Sequence, residues 1–309
     1  MEKKILVAVD GSVFSSNSIA YLGRLFHGQD NISLHLFSAI PAGPLPLGHE
    51  LLDESDLLTT IGPEVQRKFA AARKYIDNAR NRLTKTGMKP ELITSDIQLS
   101  RQAVAQNIIR EARHGLYDAL VIGRRGLTKI EELIMGSVSK TVLEKCHSTP
   151  IWVIDGHITS DKFLVPVEGT VHTLRAVDHL AFIMKGNPSI DITLFHSNAM
   201  FAGKPEIDIR QFHAQWDPGW CNEHIRPDDI FHAPEQILRE NGFAADKIHR
   251  YKTNIGMYAS RQILRQALID DFGTIVMGRR AEDVRKGVFG STSGKVAAMI
   301  ENEALWLIG

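Results

Sequence analysis

Apolar residues in this chain fall into short blocks separated by polar stretches with helical spacing. Lys4–Val9 is an apolar run ending on Asp10-Gly11-Ser12, a strand followed by a turn signal. Ser15–Phe26 puts Ile19, Leu22, Leu25 and Phe26 on one helical face, and Ile32–Ala39 alternates as a second strand. The stretch Ile40–Gly62, with Pro41, Pro44 and Pro46, predicts a loop with one short helix. Pro63–Thr86 is a long charged helix stopped by Gly87, and Glu91–Gln98 is a third strand. Arg101–His114 is helical with Val104, Ile108 and Ile109 apolar, and Ala119–Ile122 is a strand buried on both faces. Ser137–Cys146 is a helix, and Ile151–Ile154 is a closing strand.

The second half repeats this order. Strands are predicted at Phe163–Val167, Ile190–His196, Ile248–Thr253, Thr274–Met277 and Leu305–Ile308. Helices are predicted at Val171–Met184, Pro234–Asn241, Tyr258–Asp270 and Ser291–Ile300. Strands alternating with helices imply an α/β fold with parallel sheets and helices on both faces, whose ligands bind at the carboxyl ends of the strands. Asp10, Gly123 and Gly278 all stand at such ends. Ser197–Asp229, rich in Trp, His and Pro, has no clean period and reads as a long ordered loop or lid.

The repetition extends to individual residues. Asp118-Ala-Leu-Val-Ile-Gly123-Arg124-Arg125-Gly126 is echoed by Gly273-Thr-Ile-Val-Met-Gly278-Arg279-Arg280-Ala281. Each leads through a polar loop to Gly-Ser, at Gly136-Ser137 and Gly290-Ser291. The offset is 155 residues at the first glycine and 154 at the second. Two domains follow, 1–156 and 157–309, each long enough to bury a core.

Lys+Arg and Asp+Glu balance at 36 each, which argues against broad binding to nucleic acid or an anionic membrane. No apolar run approaches the ~20 residues of a membrane span, and the first residues read as a strand and not a signal peptide. Two cysteines, one per half, give no disulfide framework, so a cytoplasmic protein is expected.

The motif Gly123-x2-Gly126-x9-Gly136-Ser137 follows a strand and opens a helix. Glycines let backbone approach a phosphate, helix-opening N–H groups attract anions, and Ser137 adds a hydroxyl. It is neither a Walker loop nor a dinucleotide fingerprint, since both glycine spacings are missing. Together with Val9-Asp10-Gly11-Ser12, the pattern resembles the universal stress protein family, as two tandem copies over essentially the whole chain. The resemblance implies two Rossmann-like domains, each a five-stranded parallel sheet in the order 3-2-1-4-5, and ATP with Mg²⁺ as ligand. Asp10 then resembles the family's ribose-side acid. Ala8 and the backbone at Ala39 or Ile40 would flank adenine. Gly123, Arg124, Gly126, Gly136, Ser137 and Val138 would cradle the phosphates. The family's pairing through last strands implies an internal pseudo-dimer through Ile151–Ile154 and Leu305–Ile308, with a homodimer as a further state.

The second copy departs from the motif. Glu168 stands in place of Asp10, Ala281 replaces the second glycine, and eight residues instead of nine precede Gly290. A weakened or lost nucleotide site is expected there. The arginine pairs are either solvated or in contact with phosphate. His213, Cys221, His224 and His232 form the one metal-like constellation; Cys221-x2-His224 suits zinc, but the outer spacings fit no standard site, and structural or surface histidines are the preferred reading. No catalytic residue stands out. The expected role is a regulatory ATP-binding protein. A slow ATPase or nucleotidyl-transferring enzyme, and a carrier of a non-nucleotide ligand in the second copy, are the alternatives.

Overall fold

The short apolar runs become strands because a parallel sheet covered on both faces demands apolar side chains on both. In the computed structural model, which describes residues 2–43, 59–125, 135–187, 189–197, 209–254, 258–280 and 291–309, the chain divides into units Met1–His157 and Ile158–Gly309.

The first unit holds β1 (Lys3–Ala8), α1 (Val13–Leu25), β2 (Ile32–Pro41), α2 (Pro63–Lys85), β3 (Ile93–Ser100), α3 (Val104–His114), β4 (Ala119–Gly123), α4 (Ser137–Lys145) and β5 (Ile151–Ile154). The strands pair in parallel in the order β3-β2-β1-β4-β5, with Val7 opposite both Leu36 and Val121. The order reverses between β1 and β4, so a crevice opens beyond their carboxyl ends. Ile5, Leu6, Val7, Leu120 and Val121 are fully buried at the sheet's centre. On α1, Ile19, Leu22 and Leu25 face inward.

The second unit holds β6 (Lys162–Pro166), α5 (Val171–Met184), β7 (Asp191–Ser197), α6 (Ile209–His213), α7 (Pro218–His224), α8 (His232–Glu240), β8 (Ile248–Thr253), α9 (Ala259–Ile269), β9 (Thr274–Gly278), α10 (Thr292–Met299) and β10 (Ala304–Ile308). Its strands follow the same plan, β8-β7-β6-β9-β10, again parallel. Leu164 lies opposite Thr193 and Ile275.

One expectation needs correction. The segment read as a loop over Ser197–Asp229 contains α6 and α7, with 198–208 outside the described residues. Asp217 caps α7, accepting from the Trp220 N–H at 2.7 Å, and Pro218 occupies its first turn. A helix of seven residues is too short to show a hydrophobic period, so only its cap betrays it. Among the described residues, no helix is long and apolar enough to cross a membrane.

Candidate nucleotide site

The crevice of the first unit is a cavity of about 170 Å³. Ala8 and Asp10 line it from the end of β1, Ser38 and Ala39 from β2, and Val104 and Ile108 from α3. Gly123 and Arg125 close one side, and Gly136, Ser137, Val138 and Ser139 form its floor.

Each group is held by a local device. Asp10 Oδ1 accepts the Ser12 N–H at 2.9 Å, which ties the turn after β1. Ser12 Oγ in turn accepts the Ser15 N–H at 3.1 Å, so Ser12 caps α1 and leaves Asp10 at the cavity wall. Gly11 between them has φ +78°, and an added Cβ would lie 2.3 Å from the Tyr75 ring. Glycine is required there by both conformation and space.

At the end of β4 the reason for glycine is different from phosphate approach. A Cβ on Gly123 would stand 2.8 Å from Phe14 Cβ, so glycine lets the start of α1 cross the strand closely. The Gly136 N–H donates to Arg124 O at 3.0 Å, and Ser139 Oγ donates to Gly123 O at 2.7 Å. These bonds pin the start of α4 beside the end of β4. Gly136 is the N-cap of α4 and offers no side-chain cap, so the first-turn N–H groups lack that partner where they meet the cavity.

The structure brings Ala8, Asp10, Ala39, Gly123, Gly136, Ser137 and Val138 around one cavity. Arg124 does not join them. The residue is 1% exposed and its Nη1 lies 3.5 Å from Asp155 Oδ2, in a buried ion pair beyond the end of β5. Successive residues leaving a strand point to opposite sides, and Arg125 is the one turned to the cavity. Of the two alternatives for the adenine-flanking backbone, Ala39 lines the cavity; Ile40 does not line it, and its side chain packs with Ile61, Phe69, Ala72 and Leu99 beneath α2. Gly126 lies outside the described residues. Ser38, Phe37, Val104 and Ile108 are lining residues that the motif did not point to. The signal for two of them was the i, i+4 apolar pair on α3.

In the second unit the residues at the corresponding positions engage one another or nearby backbone. Glu168, in the place of Asp10, has Oε2 3.3 Å from Arg280 Nη2, and its Oε1 accepts from Thr170 Oγ1 at 3.4 Å. His196, in the place of Ser38, is buried and its Nδ1 lies 2.8 Å from Val167 O. Ser291 Oγ accepts the Gly294 N–H at 3.0 Å, capping α10 where α4 has only a glycine. A separate recess of about 20 Å³ lies between Val167 and Thr170 on one side and Phe212, Ile225 and Ile230 on the other, the room of about one water. Ala281 and Gly290 lie outside the described residues.

The metal-like residues of the sequence are on and beside α7. His213 Nε2 lies 3.0 Å from Asn222 Oδ1, and Cys221 is buried. The His224 ring lies between Trp220 at 4.8 Å and His232 at 5.7 Å. Burial, with Arg226 and His224 nearby, holds His232 below the ordinary histidine range. Among the described residues, no group of three or more His, Cys, Asp or Glu converges as a metal site.

A sequence profile of the universal stress protein family matches residues 1–155. The chain belongs to the universal stress protein family. No curated protein matches this family member in sequence. Among solved structures, a universal stress protein from Archaeoglobus fulgidus DSM 4304 is 18% identical, with a TM-score of 0.64 over 99% of this chain and 95% of that one. A protein of unknown function from Pseudomonas aeruginosa PAO1 is 14% identical, with a TM-score of 0.54 over 99% and 92%. Both similarities span the two units and carry the fold. A universal stress protein solved in complex with cAMP is 21% identical and covers 49% of this chain and 96% of its own, with a TM-score of 0.36.

Proposed function

We propose that the first unit binds an adenine nucleotide, ATP with Mg²⁺, and that occupancy is a regulatory signal read by another molecule in the cytoplasm. The observation that carries this reading is the start of α4, which has no side-chain cap and opens on a cavity that also presents Asp10 and Arg125. Uncapped helix-opening N–H groups and a guanidinium favour a phosphate chain. Ala8, Phe37, Val104 and Ile108 supply an apolar berth for a base, and the backbone at Ala39 its polar edge. Asp10, with one oxygen engaged by Ser12 N–H, retains acceptor capacity for ribose hydroxyls. Mg²⁺ prefers hard oxygen ligands, and phosphate oxygens with the exposed Ser137 hydroxyl suit it.

In this reading the second unit takes no nucleotide, because Glu168, Arg280, His196 and Ser291 engage one another or nearby backbone. Among the described residues that line the cavity, Asp10 is the one general-base candidate, which gives the slow-enzyme alternative little support. We further propose that β5 and β10, both wholly apolar, pair the units as a pseudo-dimer.

Calorimetric titration of the full chain with ATP and Mg²⁺ tests the central reading. The expected stoichiometry is near one nucleotide per chain. Two equivalent sites would overturn the asymmetry, and no heat or saturation with any adenine nucleotide would overturn the binding function.

A further inference from the structure

In the second unit, α7 and α8 meet through a row of rings. Centroids of Trp216 and Trp220 lie 5.7 Å apart, those of Trp220 and His224 4.8 Å, and those of His224 and His232 5.7 Å. Trp220 Nε1 donates to both carboxylate oxygens of Glu240 at 3.1 Å. His224 Nε2 faces the same carboxylate at 3.9 Å and that of Glu223 at 3.8 Å. The other side of the histidine pair is bare. His224 Nδ1 and His232 Nε2 are both buried, and neither has a hydrogen-bond partner among the described residues.

The surroundings of His232 oppose a proton. It is the first residue of α8, at the positive end of that helix. Burial, then Arg226, His224 and Arg250 of β8, hold it below the ordinary histidine range. Asp229 acts the other way, but its Oδ2 already lies 3.0 Å from Arg250 Nη1. Glu235 is paired with Arg239 and Arg250. From α6, His213 Nε2 is engaged with Asn222 Oδ1.

We propose that His224 and His232 form an acid-opened latch between α7 and α8, a pH-responsive element of the second unit. With both rings neutral the row packs closed. Glu223 and Glu240 can balance a proton on His224. A proton on His232 finds no carboxylate that is not already paired, and its buried nitrogen would carry charge without an acceptor. Two imidazolium rings beside Arg226 and Arg250 then repel, and moving α7 off α8 relieves them. The sign follows by linkage. His232 is depressed while α7 is docked and ordinary once it is released. Docking is therefore fully favoured above the ordinary value near 6.5 and is lost as the pH falls below it. Cys221 lies one helical turn before His224 on α7 and is buried; burial and Asp217 hold its thiol above the usual range. Release of α7 exposes that thiol.

Protection of Cys221 in the full chain reports the latch. The probe is 4,4′-dithiodipyridine, with the labelled cysteine located by mass spectrometry, from about pH 7.5 to about pH 5. Each rate is divided by that of the urea-denatured chain at the same pH, which removes the dependence on thiolate. Wild-type protection is expected to fall by about tenfold or more over this range, with far-ultraviolet circular dichroism unchanged. His232→Phe keeps a ring beside His224 and takes no proton, so its protection should change by less than about twofold. His232→Gln makes the same point if the phenylalanine variant fails to fold. Constant protection in the wild type, or an equal fall in the wild type and both variants, overturns the proposal. A fall accompanied by loss of the dichroism signal also overturns it, because acid would then be unfolding the unit and not releasing α7.

Discussion

At the scale of the residue, two neighbours of identical type have opposite fates. Arg124 is buried against Asp155, while Arg125 lines the cavity. Removing one partner of a buried pair leaves an uncompensated charge, which costs about 3 kcal/mol or more. Arg124→Ala is therefore expected to lower stability by about that amount in urea denaturation, at an unchanged ratio of ATP to adenosine affinity. The glycines that end β4 and β9 make a second comparison. A Cβ at Gly123 meets the Phe14 side chain at 2.8 Å, whereas one at Gly278 meets the His172 backbone oxygen at 2.3 Å. Backbone yields less than a side chain, so Gly278→Ala should cost more than Gly123→Ala, with about 1–3 kcal/mol expected for the milder case. Equal costs in chemical denaturation would show that the close approach relaxes freely. These glycines were visible in the sequence as a phosphate motif, but their close contact with the first helix was not. That contact joins residues more than a hundred positions apart.

At the scale of the element, α5 is the clearest case of burial setting chemistry. His179 on this helix is partly buried, its ring 6.0 Å from that of Trp306, and burial pushes its imidazole down to about 3. A histidine depressed in the fold and ordinary in the unfolded chain binds its proton only on unfolding, between the ordinary value near 6.5 and about 3. Stability from this group is therefore complete above pH 6.5 and falls as the pH drops through that window, by up to about 1.4 kcal/mol per pH unit. Thermal melts from pH 7 to pH 4 should show a smaller loss in His179→Leu than in the wild type. An identical slope in both would mean that other groups govern acid sensitivity. The periodic helices α1, α3 and α5 are legible because their apolar faces recur every turn. The short helices α6 and α7 are not, because seven residues or fewer give a face no chance to recur.

At the scale of the whole molecule, the repeat gives one chain two copies of a fold with unequal sites. The first copy keeps a glycine at the helix cap and a short acid; the second has a capping serine and a longer acid that reaches the arginine. If β5 pairs with β10, a first unit made alone loses its partner strand, and an apolar edge recruits another. Residues 1–157 on their own are expected to fold, to bind ATP with the affinity of the full chain, and to dimerise across a dilution series in light scattering. A monomer that binds ATP would refute the strand pairing and spare the site. An unfolded fragment would refute the independence of the two units.

The sequence by itself determined the tandem repeat, the alternation of strand and helix, and the placement of Asp10 at a strand end and of Gly136-Ser137 at a helix start. Those features are local, written in periods of two and 3.6 and in turn residues. Only the tertiary structure decided which arginine faces the cavity, that Ile40 belongs to the core beneath α2, and that His196 meets Val167 O while Glu168 meets Arg280. Those outcomes depend on which side chains distant in sequence arrive at the same place. A methylene more in an acid, or an imidazole in place of a hydroxymethyl group, changes the reach of a residue by an ångström or two, and that reach has meaning only once its neighbours are in position.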